Sequence, residues 1–337
     1  MASPIYLAVD VMGGDESPHS FVSASVSFLK QFPHVHITLF GDQATLEDAL
    51  NLLDTRSIDS RLALAHAEQI VAPEEKPAAA LRAKKGSSMW LALQSVAEGH
   101  SQAVLSAGNT GALMVMARHI IGSLDGIERP AICKRMPVSG AVCFVLDLGA
   151  NIVVDAKQLH DFALMGAALA EVEGVTPVHV GLLNVGQEHQ KGTEVLQEAD
   201  KRLRNDTRFC YTGFVEGNAI FDGVANVIVC DGFAGNVALK ASEGLARYLI
   251  RDLQRYFTVS WLRKLSGGVI RLMASGWLKR LDPASYNGAL LVGLKGVVVK
   301  SHGGADGKSF QAALKVATDQ AQRRPDQLLA RWLSEAA

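Results

Sequence analysis

The stretch AVLSAGNTGALMVMARHII, residues 103–121, carries the pattern that decides the fold of this chain. Its strand-forming run, Ala103–Ser106, passes into a small polar turn that contains Gly108. Apolar residues at helical spacing then cover Gly111–Ile121. A strand that leads at once through a glycine turn into a helix is the repeating unit of α/β proteins. The stretch therefore predicts one such unit.

The same alternation of short apolar runs and helical patterns extends over almost the whole chain. The other predicted strands are Ile5–Val9, Val35–Phe40, Leu62–His66, Val142–Leu146, Val178–Leu183, Phe209–Phe214, Val227–Cys230 and Val297–Lys300. The other predicted helices are Phe21–Leu29, Ser88–Val96, Leu159–Val172, Glu194–Leu203, Val237–Leu253 and Phe310–Ala321. Strands without polar alternation are buried on both faces, and strand–helix repeats form right-handed crossovers. We therefore expect residues 1–337 to form a single three-layer α/β/α sandwich around a mostly parallel sheet.

Composition and charge exclude several classes of protein. The chain has 337 residues, of which 48% are hydrophobic, and its formal net charge is −1. This apolar fraction excludes a disordered chain, and the charge lacks the basic excess of most nucleic-acid-binding proteins. The four cysteines are scattered without a CxxC pair, which predicts reduced and mostly buried thiols. The sequence begins without a secretory signal pattern and has no long apolar span, so we expect a cytoplasmic protein that does not span the membrane.

Five predicted strands end in small, polar, glycine-bearing turns that lead into helices. These turns are residues 9–15, 105–111, 183–186, 230–236 and 300–306. Ligands of parallel sheets bind beyond the carboxyl ends of the strands, and exposed N–H groups at helix N-termini stabilise anions. One such turn is commonly no more than a tight connection. Five of them in one chain favour an anion-binding cleft.

Several familiar sites are missing from the sequence. There is no GxGxxG fingerprint for a dinucleotide and no GxSxG nucleophile elbow, and the GGADGKS stretch at 303–309 is one residue short of a Walker A loop. His34 and His36 have no third ligand at a supporting spacing. We therefore expect neither a cofactor nor a metal ion.

The first polar constellation follows the strand that ends at Leu183. It contains Asn184, Glu188 and Lys191, and the spacing of three residues would place the last two on one helical face. The alternative interpretation is a solvated ion pair between Glu188 and Lys191.

The second constellation is Asp231, Asn236 and Lys240. We expect Asn236 in the first turn of its helix, where its amide would point toward a bound anion, although helix capping would also explain it. Neither constellation contains a Ser–His or Cys–His pair. This pattern suits a reaction whose nucleophile arrives with the substrate, and inorganic phosphate attacking a thioester fits, because a thiolate with a pKa of about 8.5 leaves readily.

Eight segments of the sequence, in this order, closely resemble the bacterial acyl-ACP:phosphate acyltransferase family. They are VDVMGGD at 9–15, SAGNTGALM at 106–114, RPAI at 129–132, DLGAN at 147–151, LLNVGQEHQKGTE at 182–194, GFVEG at 213–217, CDGFAGNVALK at 230–240 and KSHGGAD at 300–306. The resemblance implies conversion of a fatty acyl-[acyl carrier protein] and phosphate into acyl phosphate and free carrier protein. This reaction would supply the first acylation of glycerol 3-phosphate in phospholipid synthesis.

The resemblance also implies a homodimer with a fold related to those of phosphotransacetylases and isopropylmalate dehydrogenases. It places the catalytic residues at Lys191 and Asn236. The residues expected to bind substrate or phosphate are Gly13, Gly14, Asn109, Thr110, Gly111, Asn184, Asp231, His302 and Gly303. A membrane-bound acyltransferase that consumes acyl phosphate would be a further partner.

Basic and apolar residues alternate between residues 251 and 282. This stretch has seven basic and two acidic residues, and its apolar residues recur at steps of three and four. A core helix or a dimer interface would explain the apolar stripe, but tryptophans among so many cations suit an anionic lipid surface. We expect a protruding amphipathic hairpin, inserted in the domain, that binds the membrane peripherally. The residues expected to contact lipid are Phe257, Trp261, Leu265 and Trp277.

Two other functions remain as alternatives at this point. A dehydrogenase of the related fold should carry an Asp-rich metal site and a nucleotide-binding loop, and the sequence has neither. A catalytically silent protein that binds the acyl carrier protein would tolerate the loss of Lys191.

Overall fold

A computed structural model of the protein describes residues 3–138, 141–258, 276 and 282–335. Its strands are β1 (Ile5–Asp10), β2 (Val35–Gly41), β3 (Leu62–His66), β4 (Ala103–Ser106), β5 (Ala131–Met136), β6 (Cys143–Leu146), β7 (His179–Leu183), β8 (Cys210–Val215), β9 (Val227–Val229), β10 (Ala289–Val292) and β11 (Val297–Lys300). Its α-helices are α1 (Pro18–Gln31), α2 (Gln43–Asn51), α3 (Pro77–Ala83), α4 (Ser88–Ala97), α5 (Thr110–Ile120), α6 (Ala156–Val172), α7 (Glu194–Arg204), α8 (Gly232–Thr258), α9 (Gly307–Arg323) and α10 (Pro325–Glu335).

All of these strands belong to one sheet with the order β3-β2-β1-β4-β11-β10-β5-β6-β9-β7-β8. Strands β1 to β4 and β11 are parallel to one another, and so are β6 to β9. Between these two sets, β10 is antiparallel to β11 and β5, and β5 is antiparallel to β6. The two parallel sets therefore run in opposite directions, and their carboxyl ends lie at opposite edges of the sheet.

Alternate residues of the strands enter two separate cores. Leu7 and Val9 pack with Phe21 of α1 and Phe310 of α9 on one face, whereas Ala8 packs with helices α4 and α5 on the other. Burial of large apolar side chains on both faces is the main favourable term for such a layered fold. The predicted α/β/α sandwich with a mostly parallel sheet is confirmed.

All nine predicted strands and all seven predicted helices are present, with ends that agree within three residues except those of α8. Strands β5 and β10 and helices α2, α3 and α10 are additional. Strand β5 escaped prediction because Lys134 and Arg135 interrupt its apolar run. Helices α3 and α10 each begin at a proline, which is favourable at the first helical position because its missing N–H would be unpaired there anyway.

Helix α8 is much longer than the predicted Val237–Leu253. It begins at Gly232 and continues through 27 residues to Thr258. It therefore includes the first residues of the predicted hairpin of residues 251–282, most of which lies outside the described residues. Phe257 is in α8, while Trp261, Leu265 and Trp277 belong to the part of the chain that is not described.

Candidate functional site

Three glycine turns meet at the edge of the sheet where β1, β4 and β11 end, and we call them the glycine-turn group (residues 11–15, 107–111 and 301–304). The N–H of Asp15 donates to the carbonyl of Gly303 over 3.0 Å. Gly13 has a φ of +73°, and a Cβ on it would lie 2.8 Å from the Val71 carbonyl oxygen and 3.7 Å from the Cα of Gly108. Only glycine combines this left-handed backbone with such a close approach. Gly13, Gly14 and Gly303 are therefore brought together at this edge of the sheet.

Asn109 and its neighbours shape the second of these turns. The Asn109 side-chain oxygen accepts from the N–H of Ala112 and so caps α5. Its amide donates to the carbonyls of Pro73 and Glu75 over 2.8 and 2.9 Å. Thr110 is exposed at the first position of α5. Asn109 thus holds the loop that contains Pro73 and Glu75 in place. The backbone N–H groups of the turn itself lie near the N-terminus of α5.

A buried carboxylate holds two turns of the glycine-turn group in place through hydrogen bonds. Asp10, at the end of β1, is 1% exposed and accepts a hydrogen bond of 2.7 Å from the Ser106 hydroxyl. Ser106 in turn accepts from the N–H of Gly108, and Asp10 accepts from the N–H of Met12. Burial raises the pKa of Asp10, and these hydrogen bonds oppose that shift. The network ties the first two turns together.

Lys300 is the last residue of β11 and lies beside this carboxylate. Its ammonium donates to the carbonyl oxygen of Ala107 over 3.2 Å and to that of Ser301. The pKa of Lys300 is lowered to about 8, chiefly by burial; the charges of Asp10 and Asp15 oppose this shift, and the charge of Lys240 adds to it. Lys300 therefore places a positive charge between two turns of the group.

His302 lies exposed in the third turn. The buried amide of Asn287 fixes this turn, because its oxygen accepts from the His302 N–H and its nitrogen donates to the Ser301 hydroxyl over 2.8 Å. Partial burial lowers the pKa of His302, and the charges of Lys240 and Lys300 lower it further. The ring is therefore neutral at physiological pH.

A second group of turns lies at the opposite edge, where β6, β7 and β9 end, and we call it the lysine-loop group (residues 147–151, 184–193 and 230–236). In its first turn the buried carboxylate of Asp147 accepts from the N–H groups of Ile132, Ala150 and Asn151. These bonds hold the DLGAN segment against the start of β5. Burial raises the pKa of Asp147, against the effect of the hydrogen bonds.

Lys191 lies in the loop between β7 and α7. We predicted Glu188 and Lys191 on one helical face, and this is wrong because α7 begins only at Glu194. They nevertheless form an ion pair, with Lys191 Nζ 2.9 Å from Glu188 Oε2 and side chains 47% and 56% exposed. The hydrogen bond to Glu188 raises the pKa of Lys191, and the charges of Glu188 and Glu216 add to this shift. Lys191 is thus a solvent-accessible cation.

Asn184 determines the path of this loop. It is 7% exposed at the end of β7, and its amide donates to the carbonyl of Lys191 over 3.2 Å. Its oxygen accepts from the N–H of Val185. Asn184 therefore positions the backbone of Lys191.

The start of α8 differs from the prediction for Asn236. The helix begins at Gly232, so Asn236 lies in the second turn, and Asp231 caps the helix by accepting from the N–H of Ala234 over 2.7 Å. The prediction of a first-turn position is wrong, and so is the capping alternative. Asn236 is exposed, and nothing in the described part of the chain hydrogen-bonds its amide. Its amide is available to a ligand.

Helix α8 starts in the lysine-loop group, and the charge of Lys240, one turn after Asn236, acts on the glycine-turn group. A Cβ on Gly149 would lie 3.6 Å from the Asn236 side chain, which places Asn236 against the lysine-loop group. Lys240 is close enough to Lys300 and His302 for its charge to lower the pKa of both. Four residues of α-helix rise by about 6 Å. Helix α8 therefore contacts the lysine-loop group through Asn236, and the charge of Lys240 lies about one helical turn further along the same helix.

Cys230 is the cysteine nearest to this segment, and it is 1% exposed. Its thiol donates to the carbonyls of Leu146 and Asp147. Burial raises the pKa of Cys230, and the charges of Asp147 and Asp231 raise it further. The thiol is therefore protonated and enclosed, which is the opposite of what a nucleophilic cysteine requires.

Two further features concern metals and membranes. Across residues 3–138, 141–258 and 282–335, no three His, Cys, Asp or Glu side chains are placed to hold a metal ion. Among the same residues, every helix is too short or too polar to cross a bilayer.

Sequence reasoning located the turns and missed two charged residues within them. Asp10 and Lys300 each end an otherwise apolar strand, and each lies in a segment quoted above. A charge at the carboxyl end of a buried strand was the signal that could have identified them.

Comparison with known proteins gives a consistent result. Residues 5–328 match the family model described as fatty acid synthesis protein. A phosphate acyltransferase from Cellvibrio japonicus is 47% identical over 338 residues, which cover 99% of each chain. A phosphotransacetylase from Streptococcus pyogenes has a similar fold, with a TM-score of 0.62 and 16% identity over 94% of each chain.

A protein from Salmonella typhimurium described as a 4-hydroxythreonine-4-phosphate dehydrogenase is also similar in structure. The TM-score is 0.54 at 13% identity, over 94% of this chain and 99% of the other. At such identities the two structural matches establish the fold alone. They confirm the predicted relationship to phosphotransacetylases, while the one to isopropylmalate dehydrogenases stays a prediction.

Proposed function

Because the chain belongs to the phosphate acyltransferase family of fatty acid synthesis proteins, we propose that its acyl donor is a fatty acyl-[acyl carrier protein]. The products would be acyl phosphate and free carrier protein. The acyl phosphate would supply the first acylation of glycerol 3-phosphate in phospholipid synthesis. An acyltransferase acting on phosphate needs a cation and hydrogen-bond donors around an anion, and both groups of turns supply them.

In the proposed reaction, phosphate attacks the thioester directly. An oxygen of hydrogen phosphate forms a bond to the carbonyl carbon, and the carbon–sulfur bond breaks with its electron pair passing to sulfur. The phosphate proton ends on the carrier-protein thiol, so atoms and charge balance without an oxidant or an acyl-enzyme. The enclosed, protonated thiol of Cys230 supports this route, because it is a poor nucleophile.

Lys191 and Asn236 would be the catalytic residues. The Lys191 ammonium neutralises phosphate or the oxyanion that forms on the thioester carbonyl, and the Asn236 amide orients it by hydrogen bonding. Both are exposed on loops or helices that follow the neighbouring strands β7 and β9. Preorganised donors of this kind act where charge develops in the transition state. Asn184 and Asp231 position these residues through the Lys191 loop and the start of α8.

The glycine-turn group would bind the phosphoryl group. The observation that carries this proposal is the close approach of the glycine turns, in which the N–H of Asp15 donates to the carbonyl of Gly303 over 3.0 Å beside the ammonium of Lys300.

Assembly and location form a separate part of the proposal. Helix α8 has an exposed apolar face, which supports a homodimer. This face is formed by Leu245, Tyr248 and Leu249, whose exposed fractions are 59%, 57% and 54%. The basic stretch of residues 251–282 supports reversible binding to an anionic membrane. We place the enzyme in the cytoplasm, peripherally on the membrane, where a membrane-bound acyltransferase would consume its product.

A single assay separates the proposed function from its alternatives. Release of the carrier-protein thiol is followed with acyl-[acyl carrier protein], with and without phosphate. The acyltransferase requires phosphate and no nicotinamide cofactor, a silent binding protein releases no thiol, and a dehydrogenase acts only with its cofactor. Thiol release that is independent of phosphate would contradict the proposal.

A further inference from the structure

Helices α3, α4 and α5 pack on the same face of the sheet, and none of them contains an acidic residue. The chain as a whole has 33 basic and 34 acidic residues. Residues 76–97, by contrast, include four basic residues and no Asp or Glu. All four lie within residues 76–85, which we call the basic run. This run is a local excess of positive charge in a chain that is nearly neutral.

The basic run is fixed to the glycine-turn group at both of its ends. The loop before it is held by the amide of Asn109. A Cβ on Gly111 would lie 2.6 Å from Cγ of Pro77, the first residue of α3. A Cβ on Gly108 would lie 2.8 Å from Cε of Met89, in the first turn of α4. Both helices therefore begin against the glycine-turn group, and the basic side chains lie beside it.

Most of the charge in the basic run is unused within the protein. The side chains of Lys76, Arg82 and Lys85 are exposed, and none of them forms an ion pair with any residue that the structure describes. Only Lys84 is paired, with Glu75 at 4.0 Å. Like charges close together repel one another, and an anionic partner would relieve this repulsion. The basic run is thus available to a partner of opposite charge.

We propose that the basic run is the docking surface for an acidic face of the acyl carrier protein. This inference rests on the proposed function, in which the carrier protein brings the acyl thioester. A carrier protein docked at residues 76–85 would direct the arm that bears its thioester into the adjoining glycine-turn group. That group is the one proposed to bind the phosphoryl group, so the acyl donor and phosphate would meet at the same edge of the sheet.

An anionic membrane is the other partner that a basic surface could bind, and the side chains of α3 argue against it. The exposed apolar residues of this helix are Ala78, Ala79 and Ala83. Helices that lie in a lipid interface insert larger side chains, such as those of Trp, Phe and Leu. Helix α3 has only seven residues and offers none of these on its exposed side. Its surface therefore suits a folded acidic protein better than a bilayer.

The test measures binding of fluorescently labelled acyl carrier protein by anisotropy, without phosphate and at two salt concentrations. Arg82→Glu and Lys85→Glu should each weaken this binding about fivefold or more, because each places a like charge opposite the acidic partner. Added salt should weaken binding to the unaltered protein. In steady state, each variant should raise the KM for acyl-[acyl carrier protein] by the same factor and leave the KM for phosphate unchanged. Lys30→Glu, at an exposed lysine of α1 on the other face of the sheet, is the matched control and should bind normally.

Each result decides the question. Unchanged carrier affinity in folded Arg82→Glu and Lys85→Glu overturns the inference, and so does an equal loss in Lys30→Glu. Lys85 follows the end of α3, so its variant decides even if Arg82→Glu does not fold. Reduced co-sedimentation of the two variants with phosphatidylglycerol vesicles, at unchanged carrier affinity, would assign the basic run to lipid and also overturn it.

Failure of the inference and failure of the proposed function give different results. Carrier binding that both variants weaken, in a protein that releases no carrier thiol with phosphate, would uphold the docking surface and contradict the proposed function. Phosphate-dependent thiol release with an unchanged KM for the acyl donor in both variants would do the opposite.

Discussion

Lys191 keeps its positive charge throughout the neutral pH range, because its hydrogen bond to Glu188 raises its pKa. It can therefore neutralise an oxyanion but cannot serve as a general base. The Asn236 amide is a neutral donor on a rigid helix, which suits orientation rather than charge compensation. At the residue scale, the proposed chemistry thus depends on electrostatics and positioning, with no proton acceptor among these two side chains.

Substitution of Lys191 or Asn236 tests this assignment. Lys191→Ala and Asn236→Ala should each lower kcat on the order of a hundredfold, the typical effect of losing one preorganised donor. Lys201→Ala, on the exposed surface of α7, is the control and should retain full activity. Near-normal turnover of both folded site variants would show that the assignment is wrong.

Cys230 offers the complementary test. Cys230→Ala should retain substantial turnover, because the buried thiol only donates to the carbonyls of Leu146 and Asp147. Mass spectrometry of the unaltered enzyme, quenched during turnover, should find no acyl group on this residue. A stable acyl adduct on Cys230 would contradict direct attack by phosphate.

At the scale of elements, the close contact between α8 and the end of β6 sets the geometry of the site. A Cβ on Gly235 would overlap the Asp147 carbonyl oxygen and lie 2.7 Å from the Cys230 sulfur. The backbone of α8 can approach the strand only because this position has no side chain. Asn236 follows directly, so its placement depends on the same contact.

Gly235→Ala should therefore lower the free energy of unfolding by about 1–3 kcal/mol, as overpacking of a close contact does. The matched control is Gly244→Ala in the same helix, where a Cβ would meet nothing within 4 Å. Because alanine is the better helix former, this control should be neutral or stabilising by up to about 1 kcal/mol. Urea denaturation measures both, and equal effects of the two substitutions would refute the close-contact argument.

A second prediction at this scale concerns the loop between α7 and β8. Burial alone would raise the pKa of Asp206, but hydrogen bonds from Arg208 and His160 outweigh it and lower that pKa to about 2. Since the unfolded value is about 3.9, this group contributes about 2 kcal/mol of stability above pH 4 that is lost as the pH falls toward 2.

Asp206→Asn should remove this contribution. The difference in free energy of unfolding between the unaltered protein and the variant should be largest at pH 5–7 and should shrink as the pH is lowered to 3. A difference that stays constant over this range would show that the ionised form of Asp206 is not what stabilises the fold.

The sequence predicted most elements because their signals are local. Apolar runs such as Ala103–Ser106 and glycine turns such as Gly13-Gly14 need no knowledge of the rest of the chain. Strand β10 has the sequence Ala-Leu-Leu-Val, which is rich in helix-forming residues, and β5 carries two cations, so neither has a clear local strand signal. The start of α8 was misjudged because Gly232 and Gly235 read as turn residues, whereas they are needed for close packing.

At the scale of the whole molecule, strands β5 and β10 decide where the site lies. Each is antiparallel to both of its neighbours, and together they reverse the direction of the second parallel set. The predicted turns therefore fall at two edges rather than one. This property depends on long-range pairing, which no local pattern of the sequence contains.

Membrane binding is a property of the whole molecule as well. The protein should bind anionic vesicles reversibly through residues 251–282, and added salt should weaken this binding because basic side chains contribute to it. Trp261→Glu or Leu265→Glu should reduce co-sedimentation, with Leu52→Glu as a control at an exposed apolar position on another surface. Unchanged co-sedimentation of both hairpin variants would assign the apolar stripe to the core or to a dimer interface.

The most direct test of the central claim, direct transfer of the acyl group to phosphate, is rapid-quench measurement of carrier-protein thiol. Acyl-[acyl carrier protein] is mixed with a stoichiometric amount of enzyme, first without phosphate and then with it. Direct attack predicts no release of thiol until phosphate is present, followed by release of one thiol for each acyl phosphate formed. A burst of thiol equal to the enzyme concentration in the absence of phosphate would demonstrate an acyl-enzyme and contradict the account.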